Sequence, residues 1–525
     1  MGCTTILVGR QASYDGSPLV ARNEDSSAGN FDPKRVIVVR PEDQPRTYTS
    51  VLSHVSLELP ENPLRYTAIP NALPDEGIWG CAGINAANVA MSATETLTSN
   101  PRVLGADPLV EYRAESGEPG TESHTPEHIG GLGEEDFVSV VLPYIRSARE
   151  GVLRLGSLLS KYGTYEMNGI AFSDAHEIWW LETVGGHHWI AKRVPDDHYV
   201  TMPNQLGIDS FDLDDALGEG REHLCSRDLA DFIAAHHLGL DLQQSPVPDA
   251  PEAAPAADSP HAVGQEDGAA RRIFNPRLAF GSHSDSDHVY NTPRAWYMQR
   301  TLNPHAEAWD DPAGLRPDAD DIPWSRRPER KITIEDVKDV LSSHYQGTVH
   351  DPYSSRGTDS ERARFRPIGI NRHNVLAILQ VRPYIPDEYR SLQWIAYASN
   401  PFNTLVPIYT NVGSAPEYLD TGAKVSTDSL YWSSRIIAAL ADAHFNEAIP
   451  LVERYQQATL ASAHAAVTEA DAEASDLAAS AVEQALEAAN EAQAERVRTA
   501  TDDLLAQVLH VASNLMRNGF SRSDN

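Results

Sequence analysis

A cysteine at position 3 is followed at once by the β-branched apolar run Thr4-Thr5-Ile6-Leu7-Val8, which stops at Gly9. This order constrains the chain more than any other feature, because it ties a nucleophile to the head of the first strand. If Met1 and Gly2 are removed, residue 3 carries a thiol and a free α-amine on one carbon. An unperturbed α-amine has a pKa of roughly 7.7–8.0, so near neutrality a useful fraction is uncharged. It can then take the proton of its own thiol and activate it as a nucleophile. After a second short apolar stretch, Pro18 to Ala21, the segment Ala21-Arg22-Asn23-Glu24-Asp25-Ser26 supplies a cation and carboxylates. The pairing points to an enzyme.

Composition limits the partners. The net charge of −33 repels phosphate backbones and anionic lipid, which argues against nucleic acid and membrane surfaces as partners. It does not identify a substrate, since acidic surfaces mostly serve solubility. Only three cysteines occur, Cys3, Cys81 and Cys225, so no disulfide framework is expected and a reducing compartment fits. No apolar run approaches the roughly 20 residues that span a bilayer. The first apolar stretch follows Cys3 and is too short for a signal peptide or a lipoprotein leader. Ile6 stands where a myristoylation pattern wants Ser or Thr. The expected location is the cytoplasm.

Strands with tight turns are expected up to about residue 100: Thr4 to Val8, Pro18 to Ala21 after the hairpin dipeptide Asp15-Gly16, Arg35 to Arg40, and Asn88 to Thr94. A polar stretch from 113 to 133 reads as a surface insertion. Glu134-Glu135-Asp136 then opens an apolar-periodic segment, Phe137 to Tyr162, with acids suited to a helix N-terminus. Gly151 and Gly163 suggest two helices within it. Strands return at Gly169–Phe172, Glu177–Glu182 and His188–Lys192, and later at Asn374–Val381 and Leu392–Ala398. Strands, then helices, then strands again predict an α+β fold rather than a βαβ repeat. Residues 243–270, rich in Pro, Ala, Asp and Glu, read as a flexible excursion. From Leu451 to Met516 the chain is dominated by Ala and Glu, which favours helix. Its large apolar residues are too irregularly spaced for a coiled coil. They suit a helix docked on the body or contacts between subunits of a homo-oligomer.

Four segments together resemble a known family: Cys3 to Gly9, Ser13-Tyr14-Asp15-Gly16-Ser17, Ala21 to Ser26, and Ala90-Met91-Ser92-Ala93-Thr94-Glu95-Thr96. His344-Tyr345-Gln346-Gly347-Thr348 and Asn291-Thr292-Pro293-Arg294-Ala295-Trp296 add to them. They are similar to the bacterial dipeptidase A (dipeptidase D-type) family of N-terminal-nucleophile cysteine peptidases, itself akin to penicillin V acylase and bile salt hydrolase. The resemblance covers the chain to about residue 450. It implies a four-layer αββα N-terminal-nucleophile hydrolase fold over 3–450, a two-residue propeptide before it, and a helical extension over 451–525. It implies dipeptide substrates, broad specificity and no cofactor or metal.

In that reading Cys3 attacks the amide carbonyl, Arg22 favours the thiolate, and Asp25 holds the α-amine in register. Asn85 and Asn204 fall where the relatives place oxyanion-stabilising groups, and Arg294 matches a later active-site arginine, with Arg300 competing for that place. One departure matters. Many relatives begin Met-Cys, whereas here Gly2 intervenes, and while it remains the nitrogen of Cys3 is an amide and cannot act as a base. Removal of Met1 by methionine aminopeptidase is expected before Gly, and Gly2 must then leave by self-cleavage at Gly2-Cys3 or by another aminopeptidase.

Rival readings make different use of the same residues. An acylase of the same fold would take substrates lacking a free ammonium. A non-catalytic assembly protein would rest on the terminal helix. A metallopeptidase would use His283-Ser284-Asp285-Ser286-Asp287-His288, but that run lacks a rigid ligand spacing such as His-Glu-x-x-His and reads as a solvated loop. Cys81 and Cys225 read as buried thiols without chemistry.

Overall fold

The structure, a computed structural model, describes residues 2–26, 31–73, 77–240, 272–311 and 313–517. The expected excursion at 243–270 lies outside these residues. Among them, thirteen strands build two large sheets. They are β1 (Thr4–Val8), β2 (Leu19–Asp25), β3 (Ala82–Ile84), β4 (Ala90–Thr96), β5 (Asn168–Ser173), β6 (Ile178–Val184), β7 (His188–Arg193), β8 (Tyr199–Met202), β9 (His223–Cys225), β10 (Ser325–Arg326), β11 (His373–Val381), β12 (Ser391–Tyr397) and β13 (Val406–Tyr409). The first sheet runs β10-β8-β1-β2-β11-β12-β13 and the second β9-β7-β6-β5-β4-β3, with every neighbouring pair antiparallel.

Alternation sorts the side chains into layers. Leu7 of β1 and Val20 of β2 point toward the second sheet, where they share a core with Ala171, Trp180 and Ile190. The outer face of that second sheet, with Phe172, Trp179 and Leu181, packs on helices α1 (Glu134–Val141) and α2 (Ala148–Tyr162). Ile6, Val8, Leu19 and Ala21 point the other way, onto helices α3 (Thr292–Leu302) and α4 (Ile334–Leu341). The result is helix, sheet, sheet, helix: the four-layer αββα sandwich. A slip of β1 by one residue would turn each buried Leu or Val to the wrong layer, at about 1.5–3 kcal/mol per side chain. The same slip would also move Cys3 to the opposite face, so the core itself fixes which way the thiol points.

The break between α1 and α2 falls at Pro143 and not at Gly151. Gly151 serves close packing instead: a β-carbon there would collide with the Phe172 ring. Gly163, at φ +70, ends α2. The 113–133 stretch folds back on itself through bridges joining Arg113 to His128 and Ser116 to Thr125.

The Ala/Glu-rich tail forms two long helices, Phe445–Asp476 and Ala479–Asn514, the first starting before residue 451. Ala463, Ala470, Val482 and Leu486 join the core on the outer face of the first sheet. Asn490 covers the edge strand β13, donating to Tyr409 O at 3.0 Å and accepting from Tyr409 N at 2.9 Å. This occupies backbone groups that an exposed edge would offer to another strand.

Candidate active site

Cys3 stands at the head of β1 with its side chain fully buried. The β1–β2 register pairs Thr5 with Arg22, and both Cys3 and Arg22 lie on the face that looks toward the second sheet. Arg22 Nη1 donates to Cys3 Sγ at 3.3 Å and to Glu134 Oε1 at 2.9 Å. Its Nη2 reaches Glu24 Oε2 at 3.1 Å and Cys81 Sγ at 3.2 Å. Lys34 completes this side, 2.6 Å from Glu24 Oε1. Burial works against the guanidinium charge, but the two sulfurs, Glu134 and Glu24 outweigh it and hold its pKa well above the ordinary arginine value. A permanent cation therefore faces the Cys3 sulfur, and a cation there favours the thiolate form. Cys81 meets the same guanidinium, yet burial first and Glu24 second push its thiol up to about 12, so it stays protonated at neutral pH.

Asp25 lies on the opposite face of β2, fully buried. Its Oδ2 pairs with Arg366, whose Nη2 also reaches Gly2 O at 3.4 Å. His373 Nε2 is 3.1 Å from Oδ1 without making a hydrogen bond to it, and no other donor among the described residues reaches that oxygen. Burial and Arg366 drive the His373 pKa well below its ordinary value, so the imidazole is neutral there. Burial also raises the Asp25 pKa, against the pull of Arg366, Arg294 and Arg372.

Arg294 comes from the first turn of α3 and is fully buried against the backbone of residue 3. Its Nη1 donates to Cys3 O and, at 2.7 Å, to Thr4 Oγ1; its Nη2 donates to Asn204 Oδ1 and Asn291 Oδ1, each at 2.7 Å. Arg300, the competing candidate, faces Asp310 at 3.2 Å on the surface. Asn204 thus joins the site through Arg294, and its own Nδ2 donates to Thr96 O at 3.0 Å.

Asn85 sits in the turn between β3 and β4. Its Nδ2 donates to Leu142 O and Ile145 O, both at 2.8 Å, while its Oδ1 accepts from Ala87 N and Val89 N. The side chain closes the β3–β4 turn and ties it to the chain after α1.

The 283–288 run has structural partners. Asp287 is the third helical residue of a capping box with Ser284, and His288 contacts Asp320 at 2.8 Å. Among the described residues no group of three or more His, Cys, Asp or Glu side chains is arranged to hold a metal ion. No helix in them is long and apolar enough to cross a membrane.

Residues 2–458 match the model of peptidase family C69. The chain belongs to that family. Curated relatives match over nearly their whole length. A protein named dipeptidase from Bifidobacterium longum is 54% identical over 100% of both chains. A probable dipeptidase A from Streptococcus pyogenes is 51% identical over 100% of both, and a dipeptidase A from Lactobacillus helveticus 42% identical over 98% of this chain and 97% of its own. Among solved structures, a mutant conjugated bile acid hydrolase from Clostridium perfringens aligns at 12% identity with a TM-score of 0.34, covering 80% of this chain and 95% of that one. The αββα assignment rests on the layers themselves.

Several residues around Cys3 carry no signal in the sequence. Glu134 reads as a helix-start acid among three; Asp136 does act locally, accepting from Gly133 N at 2.9 Å, Glu135 holds a distant turn by accepting from Val51 N at 2.9 Å, and Glu134 turns to Arg22. Arg366 and His373 carry no motif. Tyr345 of the His344–Thr348 segment donates to Arg366 O at 2.8 Å, which links that segment to Asp25. Asn291 sits beside Pro293 in a helix-start sequence, which hid its hold on Arg294.

Proposed function

We propose that this C69 peptidase is a cysteine dipeptidase of broad specificity, working through Cys3 once Met1 and Gly2 have gone. The freed α-amine of Cys3 takes the thiol proton, and the thiolate, faced by Arg22, attacks the scissile carbonyl. The leaving amine takes the proton back as the C–N bond breaks, leaving a thioester on Cys3. Water gives a proton to the same amine, adds to the thioester and releases the acid and the thiol. Asp25 Oδ1 is the acceptor for the ammonium formed on the way. Arg294, bound to Cys3 O, fixes the backbone that carries both reacting groups.

Maturation fits the same site. Arg366 Nη2 lies 3.4 Å from Gly2 O, where it would draw electrons from that carbonyl. Attack by the Cys3 thiol forms a thioester to Gly2, the Gly2–Cys3 bond breaks as the nitrogen gains a proton, and water releases the dipeptide. We propose self-cleavage by this route. We also read 3–450 as the catalytic region with the terminal helices as its brace, and place the enzyme in the cytoplasm, where its three unbridged cysteines would stay reduced.

The observation that carries the reading is the 3.3 Å contact between Arg22 and the Cys3 sulfur at the start of the chain. The relatives named dipeptidase supply the substrate class. The test is a panel of dipeptides, N-acetylated dipeptides and acylated amino acids, each assayed before and after thiol alkylation. Turnover of free dipeptides that alkylation abolishes is expected. Preference for the blocked substrates would move the assignment to an acylase.

A further inference from the structure

A dipeptide carries an ammonium on the carbon next to its scissile carbonyl, and an acylated amino acid does not. An enzyme that selects the first needs an anion within reach of that nitrogen, hence close to the attacking sulfur. Glu134 meets this condition. Its Oε1 shares Arg22 Nη1 with the sulfur, at 2.9 and 3.3 Å, so carboxylate and nucleophile are neighbours across one nitrogen. Its Oε2 is buried and accepts no hydrogen bond from the described residues. The adjacent acids differ: Glu135 holds Ser50, Val51 and Leu52, and Asp136 holds Tyr48 and Gly133.

More acceptors gather behind it. The backbone N–H of Glu134 donates to Glu166 Oε1 at 2.8 Å. Asn168, fully buried, gives its Nδ2 to Glu166 O at 3.0 Å and leaves its Oδ1 without a donor among the described residues. Burial and the charge of Glu134 lift Glu166 to about 7, the mark of carboxylates crowded together with too little positive charge. Arg22 divides its charge between Glu134 and Glu24 and does not reach Glu134 Oε2. A substrate cation there would satisfy the open oxygen and relieve the crowding.

We infer that Glu134, backed by Glu166, binds the free α-ammonium of the dipeptide through Oε2 and thereby sets the preference for unblocked substrates. The inference rests on the dipeptidase reading above and names a residue for the recognition that reading requires.

The experiment compares Glu134→Gln and Glu166→Gln with the unaltered enzyme on alanyl-alanine and N-acetyl-alanyl-alanine, alongside the rate of Cys3 alkylation by iodoacetamide. Glu134→Gln keeps an oxygen for Arg22 but removes the charge. It should lose on the order of 100-fold in kcat/KM on alanyl-alanine, mainly through KM, while the blocked substrate changes less than about 3-fold. Glu166→Gln, which breaks no contact to Arg22, should show the same pattern at roughly 10-fold, with alkylation unchanged, and keeps the test open if the first variant fails to fold. Equal losses on both substrates, a loss confined to kcat, or alkylation slowing in parallel would overturn the inference, because Glu134 would then act only through Arg22. If the unaltered enzyme prefers the blocked substrate, the dipeptidase reading falls as well. If it prefers the free dipeptide and both variants keep that preference, the inference alone falls.

Discussion

The two faces of β2 carry opposite solutions to one problem. Toward the second sheet, Arg22 is a buried cation set among two thiols and two carboxylates. Toward the helices, Asp25 is a buried anion set among arginines and a neutral imidazole. Burial pushes both groups toward neutrality, yet the outcomes differ. The anions around Arg22 outweigh burial and fix its charge, whereas the cations around Asp25 do not, and its pKa stays raised. One strand therefore sets a permanent charge beside the Cys3 sulfur on one face and a proton-sensitive carboxylate on the other.

That contrast can be broken from either side. The largest effect belongs to Arg22→Met, which leaves Glu24 and Glu134 buried without their shared cation. It should cost about 3–5 kcal/mol of stability, read in denaturant unfolding, together with nearly all turnover and the fast alkylation of Cys3. Normal thiol reactivity in this variant would deny Arg22 its role. Asp25→Asn acts on the other face. Turnover should fall on the order of 100-fold while the thiol is still alkylated at close to its usual rate. With the anion gone the ammonium loses support, so the acid limb of the pH–rate profile should move to lower pH.

The setting behind Arg22 gives a third, smaller effect. Burial first and Glu135 second lift Asp136 from the ordinary carboxylate range to about 7. Between those values the folded chain holds a proton that the unfolded chain has released, so this group's contribution to stability falls as pH rises through the window. Asp136→Asn is neutral at every pH and should flatten that part of the melting-temperature profile; an unchanged slope would place the titration elsewhere. Smallest of all should be Cys81→Ala. Its thiol is protonated at neutral pH, so kcat/KM should stay within about 3-fold and alkylation should mark Cys3 alone.

Much of this arrangement was legible in the chain. The period-two alternation of β1 and β2 gives both the sandwich layers and the direction of Cys3 and Arg22, and the short motifs bring Asp25 and Arg294 to the same place. What stayed hidden depends on long-range closure. Glu134, Arg366 and His373 reach the site only because the layers bring segments more than 100 residues apart into contact, and none sits in a distinctive local pattern. Asn85 is the opposite case: a Gly-Ile-Asn turn looks poised for function, and in the fold its amide meets two carbonyls after α1. Gly151 reads as a break because sequence shows its missing side chain and not the Phe172 ring packed against it.

The central claim is that the working enzyme begins with Cys3. Intact-mass measurement of the purified protein, set beside active-site titration by alkylation and dipeptide turnover, tests it most directly. The active fraction should equal the fraction of molecules lacking Met1 and Gly2. Full turnover by molecules that still carry Gly2 would contradict it.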